Sequence, residues 1–124
     1  MPDLSDLKIL IIDDTEDLIR FHLRWMEKDN IETFYSMNGQ DGIDILRDNP
    51  KIDLVVLDMN LPDKSGDLVF GELRAINPDL PVIVYSGYSS RLNKLENESN
   101  IKILGKPFFL PALKDMIGEL TGRK

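Results

Sequence analysis

The sequence predicts an α/β domain, a doubly wound parallel sheet of five strands in the order 2-1-3-4-5 with helices on both faces. Two observations carry this prediction. Short apolar runs alternate with amphipathic stretches along the whole chain, joined by short connections, and strand-helix alternation of this kind implies a parallel sheet covered on both sides. The runs also differ: the first, third and fourth are apolar throughout, hence central, while the second and fifth carry polar residues, hence edges. Right-handed crossovers then select the order.

The elements follow in turn. Ile9-Leu10-Ile11-Ile12 is a strand that stops at Asp13-Asp14-Thr15, where Asp14 or Thr15 is placed to cap the next helix. From Glu16 to Lys28, the polar stripe Glu16, Arg20, Arg24 and Glu27 faces an apolar remainder containing Leu18, Phe21 and Trp25. Ile31 to Tyr35 alternates loosely, as an edge strand would, and a short helix from Gln40 to Arg47 turns Ile43 and Leu46 inward before Asn49-Pro50. Leu54-Val55-Val56-Leu57 is a strand buried on both faces that runs into Asp58. A helix from Asp67 to Ile76 follows the loop Asp63-Lys64-Ser65-Gly66, with Val69, Leu73 and Ile76 on one face. Val82 to Tyr85 is the fourth strand, ended by Ser86-Gly87. The polar stretch from Ser89 to Asn100 is a mobile loop or a frayed helix. Ile101 to Leu104 is the fifth strand, ending at Gly105-Lys106-Pro107. The last helix carries Phe109, Leu113, Met116, Ile117 and Leu120 on one stripe, with Lys114, Arg123 and Lys124 towards its end.

Composition narrows the function. At 124 residues, with 42% hydrophobic and 30% charged, the chain fits one globular domain spanning 1–124. A net charge of −7 argues against nucleic acid and anionic membranes as partners. The absence of cysteine excludes disulfides, thiolate metal sites and cysteine nucleophiles. With no signal peptide or long apolar run, the expected location is cytoplasmic, and Asn97-Glu98-Ser99 is a chance sequon.

All strands of a parallel sheet end on one side. Asp13 and Asp14 follow the first strand, Asp58 the third, Ser86 the fourth and Lys106 the fifth, so they converge at the switch point where open sheets bind ligands. Three crowded carboxylates repel and call for a cation. Hard oxygen donors point to Mg²⁺, with Mn²⁺ as the other choice. Lys106 and the Ser86 hydroxyl are anion-binding groups, and a cation on one flank with these on the other suits a phosphoryl group.

These motifs, Asp13-Asp14, Asp58-Met59-Asn60-Leu61-Pro62, Ser86-Gly87 and Lys106-Pro107-Phe108, resemble those of response-regulator receiver domains of two-component signalling. The resemblance covers essentially the whole chain and implies a flavodoxin-like, chemotaxis-regulator-like fold. It implies that Asp58 is a nucleophile, taking a phosphoryl group from a phosphohistidine of a sensor histidine kinase or histidine phosphotransfer protein. Asp14 and Asp58 would hold Mg²⁺ directly, Asp13 through a water, and the Asn60 backbone carbonyl would add a ligand. Lys106 would pair with one phosphoryl oxygen, Ser86 would move to another, and the Lys106-Pro107 bond would be cis. The added charge then favours one packing of the fourth and fifth segments, whose surface an unidentified downstream protein reads. The domain would catalyse only its own phosphorylation and dephosphorylation. No effector domain follows Leu120, so the chain is a stand-alone regulator, a relay station, or part of a longer hybrid kinase or transcription factor.

The chain departs from the family in two places. Ile103 stands where the family usually has an aromatic switch residue, and the stretch before the fifth strand lacks the usual alanine-glycine-alanine wording. Tyr88 and Asn60 occupy positions that influence phosphoryl lifetime in the family. His22 reads as a packing or partly exposed residue, and Met26, Met37, Met59 and Met116 as core or boundary filler. Three other functions are weighed. A haloacid-dehalogenase-type phosphatase needs an Asp-x-Asp-x-Thr pattern after the first strand, where this chain has Asp13-Asp14-Thr15-Glu16-Asp17. An FMN binder needs a phosphate loop where the two aspartates would repel it. A non-phosphorylated pseudo-receiver adaptor would have no need of the intact acidic set.

Overall fold

Four consecutive side chains of the third apolar run, Leu54 to Leu57, have no exposed surface, which is what a strand covered on both sides requires. The computed structural model that shows this describes residues 2–86, 100–105 and 108–123. In chain order these form β1 (Lys8–Ile12), α1 (Glu16–Lys28), β2 (Glu32–Ser36), α2 (Gly39–Asp48) and β3 (Leu54–Asp58). Then come α3 (Gly66–Ile76), β4 (Val82–Ser86), β5 (Ile101–Gly105) and α4 (Leu110–Thr121). The strands make one sheet of order β2-β1-β3-β4-β5, parallel throughout, as the apolar and half-polar runs predict.

Strand pleating sorts the core into two layers, because successive side chains face opposite sides. Leu10, Ile12, Val55, Leu57, Val82 and Val84 pack against Ile43, Leu46, Val69, Phe70 and Leu73 of α2 and α3. Ile9, Ile11, Leu54, Val56, Ile83 and Tyr85 pack against Ile19, Trp25, Met26, Leu113 and Ile117 of α1 and α4. Each fully buried aliphatic side chain contributes roughly 1.5–3 kcal/mol relative to exposure.

Helix ends follow local chemistry. The Asn38 side chain accepts from the Asp41 N–H at the start of α2, and Ser65 accepts from the Leu68 N–H at the start of α3. α4 has Pro111 in its first turn and stops at Gly122, whose φ of 73° is left-handed.

Several expectations are corrected. Neither Asp14 nor Thr15 caps α1 through its side chain. Thr15 occupies the N-cap position without such a bond, and its N–H is held by Asp13. Phe109 is not on the apolar stripe of the last helix: Pro111 sets the first turn, so Phe109 precedes it and is 70% exposed. Lys114 lies in the first half of α4, not its end, 2.9 Å from Asp29 and over the Trp25 ring. Met37, expected as core or boundary filler, falls in the turn after β2 and is exposed. The loop or frayed helix expected over 89–100 falls outside the described residues except for Asn100, whose carbonyl accepts from the Val82 N–H.

Candidate functional site

Three strands deliver side chains to one point. β1 exits at Asp13, whose N–H donates to the Ser36 carbonyl at 3.0 Å and so stays in line with β2. β3 ends on Asp58, which pairs in register with Tyr85 of β4. Ile9, Ile11 and Asp13 share one pleat parity, as do Leu54, Val56 and Asp58, and Ile83 and Tyr85. Asp13, Asp58 and Tyr85 therefore form a row on the α1/α4 side of the sheet.

Asp13 and Asp58 are buried at 0% and 1% exposure, whereas Asp14 is exposed. Carboxylate oxygens of all three lie within 4.8 Å of one another. The Asp13 carboxylate accepts from the Thr15 N–H at 2.8 Å through Oδ1 and from the Tyr85 hydroxyl through Oδ2. Asp58 Oδ1 accepts from the Asn60 N–H at 3.0 Å.

The loop after β3 is held from both ends. Asn60 bridges to Ser65, and the Gly66 N–H donates to the Met59 carbonyl at 3.3 Å. A Cβ on Gly66 would sit 2.7 Å from Met59 Cα, so this closure requires glycine. Asp63 reaches across to the start of α2, accepting from the Gly39 N–H at 2.7 Å and the Gln40 N–H at 2.9 Å. Those amides, Gly39 first, hold the Asp63 carboxyl below the ordinary carboxylate range. Between loop and acidic cluster lies a cleft of about 440 Å³ lined by Asp14 and residues 59–65. It has room for a hydrated cation and a phosphoryl group.

The donor set fits a hard divalent cation. It offers carboxylate oxygens, and neither imidazole nor thiolate belongs to the cluster among the described residues. His22 is not near enough to count. It is buried on α1, accepts from Trp25 Nε1 through Nδ1 at 3.1 Å, and stacks on Phe108 with ring centroids 5.5 Å apart. Its packing role matches the sequence reading, and burial pushes its pKa down to about 4.

Of the residues singled out in the sequence, Asp13, Asp14 and Asp58 are brought together and Asn60 borders them. The Ser86 backbone ends β4 beside Gly105, on the same edge of the sheet. Lys106, the Lys106-Pro107 bond, Gly87 and Tyr88 lie outside the described residues. Ile103, expected where the family usually has an aromatic residue, is half-buried and packs against the α2/α3 layer. Sequence reasoning missed Tyr85 and Asp63. Pleat parity with Asp13 and Asp58 is a signal that could have found the first; for the second, nothing in the spacing points to α2.

The chain matches the response regulator receiver domain over residues 9–118. It belongs to that family. The receiver domain is 28% identical over 114 residues to sporulation initiation phosphotransferase F of Bacillus subtilis (strain 168), covering 89% of this chain and 90% of that protein. It is 26% identical to the sensor kinase CckA of Brucella abortus (strain 2308) over 98% of this chain but only 13% of that protein. A crystal structure of a response regulator receiver domain protein from Clostridium thermocellum superposes with a TM-score of 0.85 at 27% identity, covering 94% of each chain. The protein is thus a phosphoacceptor signalling domain of two-component systems, a family that works with histidine kinases or phosphotransfer proteins. The phosphatase reading is not favoured. Among the described residues, no helix is long and apolar enough to cross a membrane.

Proposed function

We propose that Asp58 of this receiver domain is the phosphoacceptor, and that Mg²⁺ is its cofactor. The observation that carries the reading is the meeting of a buried strand-end carboxylate with two others, all within 4.8 Å, beside an open cleft. An Asp58 oxygen attacks phosphorus, and the O–P bond forms as the P–N bond of the donor phosphohistidine breaks. The imidazole nitrogen keeps the electron pair and takes up a proton. Asp14 and Asp58 would hold Mg²⁺ directly, with Asp13 through water and the Asn60 carbonyl as a further ligand. Bound Mg²⁺ supplies neutralisation of the carboxylate and phosphoryl oxygens.

Asp13 already accepts two hydrogen bonds from the protein, which supports an indirect role. The Asn60 N–H fixes one Asp58 oxygen and leaves the carboxylate aimed. Lys106 and Ser86 are assigned to phosphoryl oxygens on the family resemblance, and the donor is a sensor histidine kinase or histidine phosphotransfer protein on the same ground. The phosphoryl charge then biases the β4–β5 surface towards a partner protein. Incubation with acetyl phosphate and Mg²⁺ tests the chemistry. An intact-mass gain of one phosphoryl group is expected, lost on treatment with alkali and prevented when Mg²⁺ is chelated beforehand. An adduct that persists in Asp58→Asn overturns the assignment.

A further inference from the structure

We propose that Tyr85 is a positioning residue for the metal site, acting through Asp13. The role rests on the metal reading of the acidic cluster and adds a residue to it. Tyr85 is 1% exposed in the middle of the α1/α4 layer, yet its hydroxyl donates to Asp13 Oδ2. That bond crosses β3. In the order β2-β1-β3-β4-β5, Tyr85 and Asp13 are separated by two inter-strand spacings, roughly 10 Å, with Asp58 in the row between them. Only a long side chain on the same pleat face makes this reach.

The bond has a consequence for each oxygen of Asp13. Oδ1 is fixed by the Thr15 N–H and Oδ2 by the Tyr85 hydroxyl, so the carboxylate plane is held by one donor from its own turn and one from β4. The Thr15 N–H holds Oδ1 alone, and the tyrosine adds a donor at the other oxygen. A buried carboxylate flanked by two others is pushed away by them, and the tyrosine opposes that push by supplying a fixed donor from β4. The phenol is itself fixed. Its ring lies 6.3 Å from His22 and 6.0 Å from Phe108, and His22 is stacked on Phe108 and bonded to Trp25. Asp13 thus inherits its orientation from the aromatic cluster under α1. Hydrogen-bond partners of this kind around metal carboxylates are worth 10- to 100-fold in affinity.

The test is Tyr85→Phe, which keeps the ring and removes only the donor. Calorimetric Mg²⁺ titration should show affinity weakened by about 10-fold. Acetyl phosphate labelling should slow at limiting Mg²⁺ and recover the native rate at saturation. In the Asp13→Ala background the same change should leave Mg²⁺ affinity unaltered, because the acceptor it acts through is gone. Unchanged affinity in Tyr85→Phe overturns the role, as does slow labelling that no Mg²⁺ concentration restores, or an equal loss in the Asp13→Ala background. A native protein that takes up Mg²⁺ poorly while still forming the Asp58 adduct overturns the metal reading and this role with it, and leaves the phosphoacceptor standing.

Discussion

Burial removes water from both nitrogens of His22, and only Nδ1 recovers a partner among the described residues, the Trp25 indole. The fold therefore holds the ring neutral, with a pKa near 4 against 6.5 in the unfolded chain. Between these values the unfolded state binds a proton that the folded state refuses. Stability is thus full above pH 6.5, falls as pH drops towards 4, and gains no further penalty from this group below that. The contribution is about 3 kcal/mol at most. Urea unfolding across this window should show a steeper decline for the native protein than for His22→Gln, which keeps an acceptor for Trp25. Parallel profiles would show that His22 titrates normally. The sequence disclosed that His22 lies on an amphipathic helix, but not that Phe108 would cover it, because that contact joins residues far apart in the chain.

At the scale of elements, the loop between β3 and α3 sets the chemistry of Asp58, because its first turn supplies the Asn60 N–H. Its closure depends on Gly66, where a Cβ would meet Met59 Cα at 2.7 Å and run into the Met59 sulfur as well. The backbone atom cannot step aside as a flexible side chain would. Gly66→Ala should destabilise the domain by about 1–3 kcal/mol in urea unfolding and slow acetyl phosphate labelling. Native-like values for both would show the loop tolerating a wider closure. Strand and helix positions were legible here because burial on one or two faces writes a period into the sequence. The start of α4 was not, since Phe109 continues the apolar period while Pro111 dictates where the helix begins. The Asp63 tether was equally hidden, because a carboxylate in a turn looks the same whether it meets water or the amides of another helix.

For the whole molecule, a net charge of −7 with three carboxylates gathered at one sheet edge makes the metal-free fold repel itself. The unfolded chain disperses those groups and has little affinity for a cation. Mg²⁺ at 100 times its dissociation constant should then add about 2.7 kcal/mol of stability. That corresponds to a rise in Tm of roughly 10 °C at about 4 °C per kcal/mol. EDTA should reverse the rise and Asp14→Asn should abolish it; an equal rise in that variant would mean the cation binds elsewhere. The order of the sheet was legible from which runs are apolar throughout, and with it the convergence of Asp13, Asp14 and Asp58. The link from Tyr85 to Asp13 was not read, although strand parity contains it, because a tyrosine in an apolar run passes for core.

The position of the phosphoryl group is the most direct test. Borohydride reduces an acyl phosphate to the alcohol, so an aspartyl phosphate becomes homoserine at the modified position. The protein is labelled with acetyl phosphate and Mg²⁺, reduced, digested and mapped by peptide mass. Homoserine at position 58, absent when Mg²⁺ is withheld, is the expected result. Homoserine at position 13 or 14 with Asp58 unmodified would contradict it.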